Sequence, residues 1–183
     1  MTTQYFIDLK DLAQDKVSLT GSLEPGAIDF SGDGVRQIKA LEWDATAERA
    51  GAEIRIVGTL RMAAELACSR CLEPARYDVS KGFDLFFRQR DEFMFDEDDE
   101  IELTEKDTRT AFFTGTQLAM GDILHEQVLL ALPMKPLCTV DCKGLCPTCG
   151  TNLNQRNCNC PKEQFNPNLD ALLEIKRRLE KRS

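Results

Sequence analysis

Of the side chains in this 183-residue sequence, its eight cysteines have the clearest capacity for chemistry. Six of them lie in one stretch, Cys138-Thr-Val-Asp-Cys142-Lys-Gly-Leu-Cys146-Pro-Thr-Cys149-Gly-Thr-Asn-Leu-Asn-Gln-Arg-Asn-Cys158-Asn-Cys160. Two thiolates three residues apart can reach one tetrahedral ion, and Gly150 permits the tight turn beneath the Cys146–Cys149 pair. Cys158 and Cys160 would complete a set of four. Thiolate donors select zinc or iron–sulfur clusters, and nothing in the pattern favours iron, so the expected cofactor is zinc. A closed set of four thiolates is structural, because catalytic zinc keeps an open position for water. By count, Cys68 and Cys71 with Cys138 and Cys142 form a second such set, giving one or two ions in all. The alternative is that one or two of these thiols are free and buried.

The elements that must position these cysteines are legible in part. Leu41, Trp43 and Ala45 alternate with Glu42, Asp44 and Thr46, the period of a half-buried strand. Ile54, Ile56, Gly58, Leu60 and Met62 share one face of the next strand, opposite Arg55, Thr59 and Arg61. Tyr77, Val79, Phe83, Leu85 and Phe87 then alternate with Arg76, Asp78, Ser80 and Asp84. The two runs flank Cys68-Ser-Arg-Cys71-Leu-Glu-Pro74, which predicts an antiparallel hairpin with Cys68 and Cys71 at its tip. Tyr5 to Leu12 suits a strand or a short helix, and the Gly, Pro, Ser and Asp content of 23–34 marks turns. Met120, Ile123, Leu124, Val128 and Ala131 follow helical spacing, with Leu129, Leu130 and Leu132 widening the stripe. This helix, near 117–132, must end before Pro133. A last helix is expected after Asn166-Pro167, with Leu169, Leu172, Leu173 and Leu179 on one face and a basic end. The sequence thus predicts an α+β protein with an antiparallel β-sheet core. Residues 1–135 would form the β-rich core domain, and 136–183 the zinc-binding segment and C-terminal basic helix.

Charge limits the partners. The net charge is −8, and nine of the acids fall between Asp91 and Glu105 with no base among them. That run reads as an exposed loop around Phe93, Met94 and Phe95, with Ile101 and Leu103 able to return to the sheet. An acidic chain repels nucleic-acid phosphates in general, so any RNA contact must be local. Arg70, Arg76, Lys176, Arg177 and Arg178 are the candidate partner contacts, although a basic helix end is as readily just solvated. His125, the one histidine, sits beside Glu126 with no nucleophile motif, which fits an ordinary helix residue better than a base. A redox role for the Cys68–Cys71 dithiol would normally place it at the start of a helix, whereas strand patterns flank it here. There is no apolar run of about 18 residues, and Met1 to Lys10 lacks the basic and apolar regions of a secretory signal. A cytoplasmic protein is therefore expected, in a compartment that keeps thiols reduced and so favours metal over disulfides.

Four pieces in order resemble the YceD family of large ribosomal RNA subunit accumulation proteins. They are Cys68-Ser-Arg-Cys71-Leu72, the stretch from Glu126 to Pro133, Cys142 to Asn154 followed by Cys158-Asn-Cys160, and the final Asn-Pro-Asn-Leu-Asp-Ala-Leu with its basic tail. The resemblance runs from about Trp43 to the C-terminus. It implies a non-enzymatic role in ribosome biogenesis, with a large-subunit precursor or a ribosomal protein as partner. Some members lack most of the distal cysteines, which leaves the cluster open as scaffolding. Two other readings of the residues stand beside this one: a zinc-stabilised interaction adaptor unrelated to ribosomes, and a thiol-redox or metal-responsive protein.

Overall fold

The computed structural model describes residues 6–13, 16–89 and 110–160. The acidic run, Ile101, Leu103 and the expected last helix with Lys176, Arg177 and Arg178 lie outside the described residues.

Two long strands organise the rest. Strand β5 (Glu53–Ala67) and strand β6 (Pro74–Gln89) form an antiparallel hairpin, paired from Ile54↔Phe87 to Ala67↔Pro74. β-Branched and aromatic residues on alternate positions give each strand one apolar face. Strand β4 (Leu41–Ala50) pairs with the first half of β5, and β2 (Val17–Leu23) pairs with β4. Strand β3 (Val35–Gln37) takes over from β4 along the second half of β5, opposite Ala64–Leu66. The inner face carries Leu41, Trp43, Ile54, Ile56, Leu60, Met62, Val79 and Phe83, all buried.

Close packing across this face depends on Gly58. A Cβ there would lie 2.3 Å from the Asp44 carbonyl oxygen and 2.6 Å from the tip of the Phe83 ring. Phe83 is the cross-strand partner of Gly58, so its ring occupies the space that a side chain would fill.

The sheet is not wholly antiparallel as expected. Strand β7 (Thr110–Phe113) runs parallel to β6, from Phe86↔Thr110 to Gln89↔Phe113. A parallel return needs a connection of a dozen residues or more, and residues 90–109 supply that length. The expected helix near 117–132 starts later. Gln117–Ala119 is extended as β8 and pairs with β1 (Phe6–Asp8), so the helix α1 covers Met120–Ala131. Pairing with the N-terminal strand gives these three residues backbone partners that a first helical turn would leave unsatisfied. The Tyr5–Leu12 segment is accordingly both things the sequence allowed, β1 and a short 3-10 turn at Asp11–Ala13.

Helix α1 lies on the sheet through Met120, Ile123, Leu124 and Val128, all in the core. Each such side chain, fully buried, contributes about 1.5–3 kcal/mol. Leu130 turns outward and is exposed, so the stripe is narrower than its leucine content suggested. His125 receives a structural job: its Nε2 lies 2.9 Å from Asp33 Oδ2 and its ring stacks on Phe30 at 5.0 Å. Both contacts fasten the 24–34 turn region to α1. No helix among the described residues is long and apolar enough to cross a membrane.

Candidate metal centres

The β5–β6 hairpin ends in the turn that carries Cys68 and Cys71. Leu72 N–H donates to the Cys68 carbonyl at 3.0 Å, and the Arg70 N–H points at Cys68 Sγ at 3.5 Å. Closing this turn puts Leu72 at φ 64°, the only positive φ at a non-glycine among the described residues. The Cys146-Pro-Thr-Cys149 turn repeats the design. Gly150 N–H donates to the Cys146 carbonyl at 2.9 Å, with Gly150 at φ 71°. Two segments far apart in sequence therefore form one turn type that aims two thiols at a common point.

The chain after α1 is laid along the hairpin tip. Ser69 N–H donates to the Pro136 carbonyl at 2.8 Å. The Tyr77 hydroxyl takes both backbone groups of Leu137, accepting from its N–H at 2.6 Å and donating to its carbonyl at 2.9 Å. These bonds deliver Cys138 and Cys142 opposite Cys68 and Cys71. The four sulfurs of this proximal group all lie within 4.8 Å of one another. Cys68 and Cys142 sulfurs are 3.7 Å apart, and those of Cys71 and Cys138 3.5 Å. A disulfide would bring two sulfurs to about 2.05 Å. A tetrahedral zinc with bonds of about 2.3 Å needs sulfur–sulfur edges of about 3.8 Å, which these separations fit. Cys68, Cys71 and Cys142 are buried with Ala75, under Tyr77, Leu137 and Leu145.

The distal group joins Cys146 and Cys149 to Cys158 and Cys160, again with all four sulfurs within 4.8 Å. It is more open: Cys146 is buried, Cys149 exposed, and Cys158 and Cys160 half-buried. A cavity of about 530 Å³ opens beside Cys146, Cys158 and Cys160, with Lys143, Pro147 and Leu153 on its border.

Crowding splits the thiols into acidic and reluctant members. Burial opposes ionisation of Cys68, but the N–H groups of Cys71, Arg70 and Cys138 outweigh it and bring the thiol down to about 6. The Glu73 N–H favours a thiolate at Cys71, yet burial and the neighbouring sulfurs push it up to about 12. In the distal group the Thr151 hydroxyl, 3.2 Å from Cys149 Sγ, leads the interactions that lower Cys149 to about 6. Cys160 is pushed up to about 12, first by its contact with Cys149. In each group two thiols are lowered, Cys68 and Cys142 or Cys146 and Cys149, and the other two are raised, so full ionisation of all four calls for a cation at the centre. Soft donors and tetrahedral spacing suit zinc, and four protein ligands leave no position for a reacting water.

All eight sequence-predicted cysteines are thus brought together, in the two sets that counting suggested. Arg70 stands at the proximal site, where its guanidinium donates to the Cys142 carbonyl at 2.8 Å. Arg76 lies further along β6, across from Glu65, to which it donates at 3.2 Å. Arg36 on β3 reaches the same carboxylate from the other side. Sequence reasoning missed the residues that fix the cysteines in place. Besides Tyr77, these include Gly144, where φ is 76° and a Cβ would lie 3.0 Å from the Arg70 carbonyl oxygen. They also include Asn152 and Gln155, which donate to Glu73 Oε1 at 3.3 and 3.2 Å, and Asn154. Their signal was slight: a Tyr on a strand's alternating face and polar residues in a loop without periodicity.

Residues 56–176 match the family model described as large ribosomal RNA subunit accumulation protein YceD. A maize protein named large ribosomal RNA subunit accumulation protein YCED homolog 1, chloroplastic, is 27% identical over 159 residues, covering 75% of this chain and 54% of its own. Its Arabidopsis thaliana counterpart is 23% identical over 152 residues, covering 71% and 46%. An uncharacterized protein of Mycobacterium bovis is 28% identical over 151 residues, covering 82% and 69%. The chain therefore spans about half the length of the plant relatives. No solved structure matches it.

Proposed function

Since this chain belongs to the YceD family, we propose that it promotes accumulation of large-subunit ribosomal RNA, acting in the cytoplasm as a non-enzymatic factor that binds a large-subunit precursor or one of its proteins. The family match over 56–176 carries this reading, because it spans both cysteine groups and nearly all of the hairpin that carries Cys68 and Cys71. Two structural zinc ions are part of the proposal, supported by two sets of four sulfurs at tetrahedral spacing. Action by binding agrees with ligand sets that offer no open coordination position. The division into a core, 1–135, and a metal-bound segment, 136–183, belongs to the same reading, with the proximal site fastening the second part to the first. The acidity of the chain favours a basic protein partner over bare RNA.

The test is loss of the gene followed by complementation. The reading expects a reduced ratio of large- to small-subunit ribosomal RNA, restored by the wild-type chain, and co-sedimentation of the protein with large-subunit precursors. Alanine at Arg70, Arg76, Lys176, Arg177 and Arg178 together should abolish co-sedimentation, with Arg70→Lys as a control because Arg70 also holds the Cys142 carbonyl. Unchanged co-sedimentation would remove these residues from the contact. A normal RNA ratio, with a pull-down rich in another assembly and free of ribosomal proteins, would instead favour the adaptor reading.

A further inference from the structure

The proximal and distal groups are not separate modules. Cys142 belongs to one and Cys146 to the other, and Gly144 lies between them. Around Gly144 the backbone is shared in both directions: Leu145 N–H donates to the Arg70 carbonyl of the hairpin at 3.1 Å, and the Gly144 carbonyl accepts from Leu153 N–H at 2.9 Å. Leu153 belongs to the loop that runs from Cys149 to Cys158 and is closed by the distal group. The same loop carries Asn154, and this side chain reaches across to the proximal group. Its amide nitrogen donates to Cys142 Sγ at 3.2 Å, and its amide oxygen accepts from Lys143 N–H at 2.8 Å. Asn152 holds Asn154 in that pose: its Oδ1 accepts from the Asn154 side chain and from the Asn154 backbone N–H, both at 3.0 Å. Asn152 is in turn tied to Glu73 beside the hairpin tip.

From this geometry we propose that Asn154 is a positioning residue through which metal loading at the distal group strengthens metal binding at the proximal group. The inference rests on the zinc reading of both groups. An N–H donated to a ligating sulfur stabilises the thiolate and fixes its direction, and removal of such an outer partner typically costs about 10–100-fold in metal affinity. Asn154 can make this bond only when its loop is closed, and four sulfurs around one ion close it. The free chain must spend part of the first metal's binding energy on ordering that loop, and the second metal then meets it already ordered. By thermodynamic necessity the effect is mutual, so loading the proximal group strengthens the distal one by the same factor.

The test uses the full chain, reduced and metal-free, titrated with cobalt(II) as a spectroscopic probe of tetrahedral thiolate sites, and then with zinc in competition. The intact chain should take two cobalt ions. A Cys158→Ser/Cys160→Ser chain, disabled at the distal group, should bind its remaining cobalt about tenfold or more weakly than the intact chain's proximal group. Asn154→Asp keeps an acceptor for the Lys143 N–H but loses the donor to sulfur. It should give a comparable loss and move the proximal sulfur-to-cobalt charge-transfer band to lower energy, as loss of the N–H donated to Cys142 Sγ requires, and the Cys158→Ser/Cys160→Ser chain should show the same shift. Asn154→Asp added to the Cys158→Ser/Cys160→Ser chain should cost little more, since both changes remove the same bond. Equal proximal affinity, within twofold, in the intact and distal-disabled chains would overturn the inference while leaving the zinc reading intact. A reduced chain that takes up no metal at all would overturn both.

Discussion

The proximal site ties the hairpin tip to the chain that follows α1, and its worth to the fold can be worked from the length of chain it closes. Cys71 and Cys138 are 67 residues apart in sequence, and the span between them holds all of β6, β7, β8 and α1. In the chain-entropy account of a cross-link, closing a loop of that length removes about 4 kcal/mol of freedom from the unfolded chain. The distal group closes only the short loop 149–158, for which the same relation gives about 2.5 kcal/mol. The two sites should therefore differ in what they do for the sheet and helix. A Cys138→Ser/Cys142→Ser chain should lose about 4 kcal/mol of stability, and a Cys158→Ser/Cys160→Ser chain markedly less. Urea unfolding followed by the fluorescence of Trp43 reads this directly, because Trp43 is the one tryptophan and is buried in the inner face of the sheet against Gly21. The metal-loaded chains are compared at fixed free zinc, since a ligand that binds only the folded state adds stability by mass action. The reasoning fails if the two double variants shift the unfolding midpoint equally, or if the distal one shifts it more.

Other substitutions probe the framework. Gly58→Ala should destabilise by about 1–3 kcal/mol, the usual cost of overpacking, because the new Cβ meets a backbone oxygen that cannot rotate away; thermal unfolding would measure it. Leu72→Gly should stabilise the metal-loaded chain by about 1 kcal/mol, since Leu72 is 67% exposed and holds a left-handed φ that glycine adopts freely; a lower urea midpoint would refute this. Glu65→Gln should lower stability at neutral pH. Arg36 first, then Arg76, hold the Glu65 carboxyl below its ordinary 4.5 against the opposing effect of burial. A depressed carboxylate stabilises above its unfolded pKa and loses that contribution as the pH falls through its folded one. The gap between wild type and Glu65→Gln should therefore be full near neutrality and close only as the pH falls below the carboxyl's ordinary 4.5 and through its lowered folded value, a trend that urea midpoints across pH would report.

The parts of the fold that the sequence declares are those where one physical signal dominates. The alternation from Ile54 to Met62 and from Tyr77 to Phe87 reflects burial of one sheet face, so the hairpin and its cysteine tip follow from period two alone. Helix α1 is equally plain in its interior, where Ile123, Leu124 and Val128 pack on the sheet. Its start is not, because Gln117–Ala119 is compatible with either state and a distant partner, β1, decides. The parallel strand β7 is hidden for the same reason: nothing local in Thr110-Ala-Phe-Phe113 says which neighbour it will meet, or in which direction.

The cysteine groups sit between these cases. Their membership could be reached by counting, because a structural zinc takes four ligands, and reading Cys146, Cys149, Cys158 and Cys160 as one set leaves Cys68, Cys71, Cys138 and Cys142 as a second. What holds them could not be counted. Tyr77 reads as one more member of an alternating face, yet its hydroxyl clamps both backbone groups of Leu137 next to Cys138. Asn154 reads as loop filler, yet it spans from one sulfur group to the other. Leu72 and Gly150 make the point sharpest. They occupy equivalent places in the two turns, at φ 64° and 71°, but only the glycine announces the backbone shape that both must take. A leucine can be held there because Cys68 and Cys71 are fixed on a long, fully paired hairpin, whereas the second turn follows irregular chain and must find its shape with little outside help. Tertiary support substitutes for local preference at the first turn, and local preference substitutes for support at the second.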